Sequence, residues 1–298
     1  MPARLIINAD DFGLTPGVNR SVEELHRAGA LSSATLMANG PAFEDAVAIA
    51  LRNPSLGVGC HVVFTDGVPL SLPQSIPSLL GPDGTSFRPS LLAFAAAATC
   101  GKLRPDDVRT EAIAQIRKLQ GAGIAVTHID THKHAHLFPA VIRPLLEAAR
   151  QTSVHAVRNP FEPPWSLALA QGSPLRRLEL NLLRPLEHRL HTELRRDRTV
   201  ATTKGTLGIS TTGRLDAPAL RQLLQRLPPG TWELVCHPGY NDPDLDRLRT
   251  RLRTHREIER NALLTVVPEI LAQPGAPVLI HYGSLAARDD ILPGADYR

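Results

Sequence analysis

The chain has 298 residues, of which 43% are hydrophobic and 21% are charged, values close to the average of folded globular proteins. This composition excludes a disordered, collagen-like or coiled-coil chain. Lysine and arginine exceed aspartate and glutamate by 33 to 29, and a net charge of +4 is too small an excess for a dedicated nucleic-acid-binding protein.

The number of cysteines and the length of the apolar runs indicate in which cellular compartment the protein works. Three cysteines without a C-x-x-C pair make a disulfide framework or a cysteine-rich zinc module unexpected and favour a reducing environment. No run reaches the roughly 18 apolar residues of a membrane span. The first residues carry one basic side chain and a short apolar run that ends in two carboxylates, which is unlike a signal peptide. We therefore expect a cytoplasmic protein.

Short apolar runs alternate with longer amphipathic stretches along the chain. The apolar runs predict strands at residues 4–9, 34–38, 56–63, 125–131, 154–158, 232–237 and 277–282. Helical periodicity predicts helices at residues 16–28, 43–51, 106–120, 139–150, 216–227 and 254–271. Repeated strand–helix units predict an α/β fold, and their number fits a closed or nearly closed (β/α) barrel as a single domain over residues 1–298. An open doubly wound sheet is the alternative.

Two segments interrupt this alternation. Residues 69–89 are rich in Pro, Gly and Ser and predict a long loop over one face. Residues 163–198 form an insertion in which arginines accompany a stripe of leucines, namely Leu175, Leu178, Leu182, Leu186 and Leu190. The stripe predicts either a helix pair packed on the barrel or an interfacial segment near lipid or a lipid-like substrate.

Polar groups follow four of the predicted strands. Asp10 and Asp11 end the first strand, His61 lies in the third, residues 127–136 continue the fourth, and His237 ends the strand at 232–237. Active sites of barrels and open α/β sheets lie at the C-terminal ends of the strands. The sequence therefore predicts an enzyme.

The segment 127–136 places ionisable side chains at every second position: His128, Asp130, His132, His134 and His136. As long as the chain stays extended, these side chains share one face. Burying them together without partners is costly, and a bound cation resolves the conflict because imidazole and carboxylate both ligate metals. The segment predicts a metal site.

A mononuclear catalytic site needs about three protein ligands and an open position for water. One carboxylate of Asp10 and Asp11, His61, and one histidine of residues 132–136 supply such a set, which suits zinc and tolerates other divalent ions. The other aspartate is then available as a base, and His237 as an acid.

Four motifs carry a family resemblance. N-A-D-D-F-G at 8–13, G-V-G-C-H at 57–61, T-H-I-D-T-H-K-H-A-H at 127–136 and C-H-P-G at 236–239 resemble the YdjC-like carbohydrate deacetylases, which include chitooligosaccharide deacetylases. The resemblance implies a distorted TIM-like (β/α) barrel related to polysaccharide deacetylases. It also implies hydrolysis of the N-acetyl group of an amino sugar with one divalent metal ion, zinc or magnesium.

The resemblance also implies roles for single residues. The metal ligands are Asp11, His61 and His132, the catalytic base is Asp10, and the acid that protonates the leaving amine is His237.

Four further residues are expected near this set. Asp130 is expected to hydrogen-bond a ligating histidine. His134 and His136 are expected beside the ligands or on the substrate. Arg158 ends a predicted strand and is expected to orient Asp10 or bind substrate, or else to form a structural salt bridge.

The middle of the chain suggests a substrate. V-R-N-P-F-E-P-P-W at 157–165, T-K-G-T-L-G-I at 203–209 and T-G-R-L at 212–215 resemble the hopanoid-biosynthesis-associated branch of the family. That resemblance implies a glycosylated hopanoid as substrate, with peripheral contact to the inner face of the membrane. Homo-oligomer formation is compatible with the sequence. The competing functions are a metal-dependent phosphoesterase, a sugar isomerase and a non-catalytic glycolipid-binding protein.

Overall fold

The structure is a computed structural model that describes residues 2–169, 185–197, 199–248 and 250–285. In these ranges the strands are β1 (Arg4–Phe12), β2 (Ser33–Leu36), β3 (Gly57–Val62), β4 (Val126–Thr131), β5 (Thr206–Leu207), β6 (Thr231–Cys236) and β7 (Val278–Leu279). The helices are α1 (Pro16–Arg27), α2 (Phe43–Arg52), α3 (Leu91–Thr99), α4 (Pro105–Gly121), α5 (Pro139–Gln151), α6 (Pro164–Leu169), α7 (Pro185–Arg196), α8 (Ala217–Gln225), α9 (Pro243–Asp246) and α10 (Thr254–Leu271).

All strand pairs are parallel, in the order β4-β3-β2-β1-β6-β5, and the short β7 pairs with the start of β1. A parallel pair needs a crossover connection, which helices supply here between most successive strands. The C-terminal ends of the strands therefore meet at one side of the sheet.

Isolated backbone bridges, rather than a continuous ladder, connect the two ends of the sheet. The Ile129 amide of β4 donates to the Ala156 carbonyl at 3.0 Å, and the Val157 amide donates to the Ala201 carbonyl at 3.0 Å. From Ala201 the chain continues into β5, which pairs with β6. The parallel sheet thus curves into a barrel whose β4 and β5 edges are joined only through isolated bridges, and the predicted distorted (β/α) barrel is confirmed. The open doubly wound sheet is wrong.

Side chains of β1 alternate between two environments. Leu5, Ile7 and Ala9 belong to the main hydrophobic cluster, which the helices cover. Ile6 instead packs with Tyr282 in a small second cluster. Successive side chains of a strand point to opposite faces. The face of Ile6 also carries Asn8 and Asp10, so a polar site follows directly from the alternation.

Several predicted elements have different bounds in the structure. β1 extends through both aspartates to Phe12, the segment predicted at 154–158 forms only isolated bridges, and the strand predicted at 277–282 shortens to β7 before a 3₁₀ turn. Helix α3 was not predicted as an element. Among the described residues, no helix has both the length and the apolar character that crossing a membrane requires.

The described part of the insertion at 163–198 consists of α6 and α7. Leu190 and Leu194 of α7 are 1% and 5% exposed and join the main hydrophobic cluster, and Leu186 packs partly against it. This end of the leucine stripe packs on the barrel rather than facing solvent. Leu175, Leu178 and Leu182 lie outside the described residues. The single-domain organisation stays a prediction.

Candidate metal and catalytic site

The two neighbouring aspartates face the same site because β1 is irregular between them. Asp11 has a left-handed backbone with φ of 64°, and the register of β1 against β2 shifts between Ala9 and Phe12. Aspartate tolerates this conformation better than most residues. In a regular strand Asp11 would point away from Asp10 into the helix layer. The bulge turns it back toward the C-terminal end of the barrel.

Asp10 accepts four hydrogen bonds from three side chains. Both of its oxygens accept from the Arg158 guanidinium, at 2.6 Å for Oδ1 and 2.9 Å for Oδ2. Oδ1 also accepts from Asn8 Nδ2 at 3.0 Å and from Thr35 Oγ1 at 3.1 Å. Burial raises the pKa of Asp10, but Arg158 together with His61 and His237 outweighs burial and holds the pKa well below its usual range. Asp10 is therefore a fixed, ionised carboxylate.

Arg158 is fully buried and also contacts Asp130 and Glu233. Burial disfavours its charge, but the three carboxylates outweigh burial and raise the pKa of Arg158 well above its usual value. Glu233 was missed by the sequence analysis. Its second oxygen accepts from Thr206 Oγ1 at 2.9 Å and from the Tyr282 hydroxyl at 2.5 Å. A glutamate inside the apolar strand T-W-E-L-V-C was an available signal, because a buried carboxylate needs partners.

The structure brings Asp11, His61 and His132 together. His61 Nε2 lies 3.7 Å from Asp11 Oδ1, His132 Nδ1 lies 3.5 Å from the same oxygen, and the two nitrogens are 3.3 Å apart. Ligands placed about 2.1 Å from a tetrahedral ion are about 3.4 Å apart. Asp11 Oδ1 is buried without a hydrogen-bond partner in the described chain. The donor set therefore fits one divalent ion.

Asp130 orients His61. Its Oδ1 lies 2.7 Å from His61 Nδ1, so Nε2 is the nitrogen that faces Asp11. Carboxylates commonly fix metal-binding imidazoles in this way. Burial lowers the pKa of His61, but Asp130 and Asp10 outweigh it and raise the pKa to about 9 in the metal-free arrangement.

A second group of potential ligands consists of Asp10, His61 and Asp130. Both carboxylates of this group are already paired with the Arg158 guanidinium, whereas Asp11 Oδ1 of the first group has no hydrogen-bond partner in the described chain. The first group is therefore the stronger candidate for a metal site.

His237 lies beside Asp10 at the end of β6. Its Nε2 is 3.9 Å from Asp10 Oδ2, and its side chain is 14% exposed. The backbone amide of His237 donates to Glu259 Oε2 at 2.6 Å, and the same carboxylate accepts from the Gly213 amide at 3.1 Å. Glu259, on α10, was also missed. The imidazole thus stands at the open side of the site on a fixed backbone.

The expectation that residues 128–136 share one face is wrong. The chain stays extended only to Thr131, and residues 132–137 then turn sharply through a kink at Lys133 and His134, which have left-handed φ of 56° and 54°. The turn presents His132 to Asp11 but sends the later histidines elsewhere.

The other histidines of the segment occupy different surroundings. His128 stacks on Tyr282 with ring centroids 3.9 Å apart, and His136 is fully buried with Nδ1 2.6 Å from Thr131 Oγ1. Burial lowers the pKa of His128 well below its usual value and that of His136 to about 3. The His134 ring centre lies 6.4 Å from that of His136. Roles for His134 and His136 in substrate binding stay predictions.

Fold and site together define a distorted parallel (β/α) barrel that carries a carboxylate–histidine site at the C-terminal ends of its strands. The family model described as YdjC-like protein matches residues 4–270. The chain therefore belongs to the YdjC-like family.

The chain is similar to two curated relatives in sequence and to one solved structure in fold. A carbohydrate deacetylase of Brevibacillus brevis is 38% identical over 180 residues, which are 60% of this chain and 65% of that protein, just under two thirds of its length. A carbohydrate deacetylase of Thermoanaerobacter pseudethanolicus is 30% identical over 87% of this chain and 90% of its own. The crystal structure of a candidate cellobiose-phosphate cleavage protein from Enterococcus faecalis V583 superposes with a TM-score of 0.75 and 26% identity, over 96% of this chain and 100% of the other.

Proposed function

We propose that this protein is a metal-dependent carbohydrate deacetylase that hydrolyses the N-acetyl group of an amino sugar. One divalent ion, zinc or magnesium, is held by Asp11, His61 and His132. The observation that carries the proposal is the unpartnered Asp11 Oδ1, which faces two imidazole nitrogens at 3.5 and 3.7 Å. The names of the two deacetylase relatives support the same reaction.

A divalent ion in such a site lowers the pKa of water and polarises an amide carbonyl. Asp130 keeps His61 Nε2 directed at the site, and Arg158 keeps Asp10 ionised beside it. In the reaction, the oxygen of water bonds to the acetyl carbon and the C–N bond breaks, which yields acetate and a free amine.

Asp10 takes the proton of the attacking water. Because Arg158, Asn8 and Thr35 fix its carboxylate, the base needs no reorganisation when the substrate enters. General base catalysis requires hydrogen-bond reach to the water, and an oxygen of Asp10 lies within 4.8 Å of a nitrogen of the proposed ligand His61.

His237 donates the proton to the departing amine. It is the partly exposed imidazole beside Asp10, and its main chain is anchored to Glu259. Acid–base assistance of this kind contributes roughly 10²–10⁴-fold to the rate.

The hopanoid-linked substrate, the cytoplasmic location, the membrane contact and the homo-oligomer stay predictions. Residues of the motifs that resemble the hopanoid-associated branch also stabilise the fold. Asn159 Nδ2 donates to the Thr203 carbonyl, and Glu162 accepts from the Ser210 amide. A two-metal phosphoesterase is less well supported, because both potential ligand groups of the described residues share His61.

Acetate release tests the proposal. Purified protein is assayed on substrates from free N-acetylglucosamine to an N-acetylglucosaminyl hopanoid, with and without chelator. We expect release from at least one substrate, loss with chelator, and recovery with zinc or magnesium. His132→Ala should lose activity and bound metal, whereas His155→Ala, a change at an exposed histidine, should keep both. No release from any substrate by metal-loaded protein would contradict the proposal.

A further inference from the structure

Arg256 of α10 contacts Asp11 from outside the set of residues that the motifs supply. Its Nη2 lies 2.6 Å from Asp11 Oδ2, and both side chains are almost completely buried, at 1% and 4% exposed.

The two oxygens of Asp11 therefore have different surroundings. Oδ2 is bound by the guanidinium, whereas Oδ1 has no hydrogen bond and faces His61 and His132. A carboxylate without such a partner can rotate and offer a metal either oxygen or both. With Arg256 in place, only Oδ1 is available.

We propose that Arg256 is a positioning residue that makes Asp11 a one-oxygen metal ligand. The inference rests on the metal site of the proposed function. One free carboxylate oxygen and two imidazole nitrogens leave an ion a position open for water, which a catalytic site needs. A two-oxygen Asp11 would occupy more of the coordination shell.

The surroundings of Arg256 fit this task. Its Nε donates to the Leu252 carbonyl at 3.1 Å, and its own carbonyl accepts from the Gly239 amide at 3.2 Å. A Cβ on Gly239 would stand 3.1 Å from Arg256 Cδ and 3.2 Å from Val18. The glycine of the C-H-P-G motif thus leaves the space through which the arginine reaches Asp11.

The test compares Arg256→Met with Arg260→Met. Arg260 lies one turn further along α10 and pairs with Glu24 at 2.6 Å, away from the metal ligands. The Zn²⁺ dissociation constant is measured by competition with a chromophoric chelator. Partners that hold metal ligands in place are typically worth about 10–100-fold in affinity. We expect Arg256→Met to weaken Zn²⁺ binding by about that factor and Arg260→Met to leave it unchanged.

Visible absorption of the Co²⁺-loaded proteins provides the second readout. A two-oxygen Asp11 raises the coordination number, so the Co²⁺ bands of Arg256→Met should weaken and shift relative to wild type. A purely structural arginine would lower the melting temperature without changing this spectrum. An unchanged spectrum, or unchanged or tighter Zn²⁺ binding, would overturn the proposal.

Arg256→Lys keeps the experiment decisive if Arg256→Met does not fold. Lysine keeps the positive charge but replaces the guanidinium that holds Asp11 Oδ2 with a shorter side chain, so weaker Zn²⁺ binding is expected and unchanged affinity would overturn the proposal. Wild-type protein that binds neither Zn²⁺ nor Co²⁺ would overturn the proposed metal site as well. If wild-type protein binds Zn²⁺ and the Arg256 variants bind it equally well, only the role of Arg256 is overturned and the proposed metal site stands.

Discussion

Arg158 donates two hydrogen bonds to Asp10, from Nη2 to Oδ1 at 2.6 Å and from Nη1 to Oδ2 at 2.9 Å. The same side chain contacts Asp130, which orients His61, and Glu233, which is anchored by Tyr282. The buried Arg158 guanidinium thus contacts both Asp10, the proposed base, and Asp130, which orients the proposed metal ligand His61. Of the roles considered for Arg158, the structure shows contact with Asp10 together with buried salt bridges.

Removing this cation should strongly destabilise the protein. Arg158→Met leaves three buried carboxylates without their shared partner, and loss of one member of a buried ion pair costs about 3–5 kcal/mol. Arg260→Met removes a partly exposed pair worth less than about 1 kcal/mol. Urea unfolding measures both. Equal effects of the two substitutions would show that the buried cluster is not held together by Arg158.

Asp10→Asn and Asp11→Asn should have separable effects. Asp10→Asn should retain metal and lose turnover, since it removes the base and no ligand. Asp11→Asn should lose metal affinity, because the amide is a weaker ligand and its bond to Arg256 is altered. Metal content and acetate release are measured on each folded variant. The division of roles is wrong if both variants lose metal to the same extent.

His237→Ala should lower kcat on amide substrates by roughly 10²-fold or more while metal content stays at the wild-type level. An ester analogue, whose leaving group needs less protonation, should be affected less. Steady-state kinetics on matched amide and ester substrates measure the difference. Equal losses on both would argue against His237 as the acid.

Leu190→Ala should act on stability rather than on lipid recognition. Leu190 is 1% exposed against the barrel, and truncating a buried leucine costs about 2–5 kcal/mol. The exposed Leu92→Ala, at 81% exposure, is the matched control and should change stability little. Thermal unfolding is measured with turnover of soluble and lipid-linked substrates. A selective rise in KM for the lipid-linked substrate, without a loss of stability, would restore the interfacial interpretation for this position.

The strand ends could be predicted from the sequence because apolar runs and the polar residues that follow them are local signals. Asp10, Asp11, His61, His132 and His237 all lie where those signals put them. Strand alternation does not hold at two places because the backbone is left-handed at Asp11 and at Lys133–His134. None of these three residues is the glycine that normally marks such a conformation.

The sequence carries weaker signals for contacts between residues that are far apart in the chain. Glu233 could have been suspected from its apolar strand, but its pairing with Arg158 depends on how the barrel closes. Arg256 and Glu259 lie in a helix rich in charged residues, where nothing local distinguishes a buried arginine from an exposed one. Their partners, Asp11 and the His237 backbone, are known only from the fold.

The most direct test of the central claim is the position of the metal. Crystals of Zn²⁺-loaded protein are measured at the zinc absorption edge, and the anomalous difference map locates the ion. We expect one peak per chain, within about 2.0–2.2 Å of Asp11 Oδ1, His61 Nε2 and His132 Nδ1. A peak between Asp10 and Asp130, or the absence of a peak at His132 in fully loaded crystals, would contradict the account.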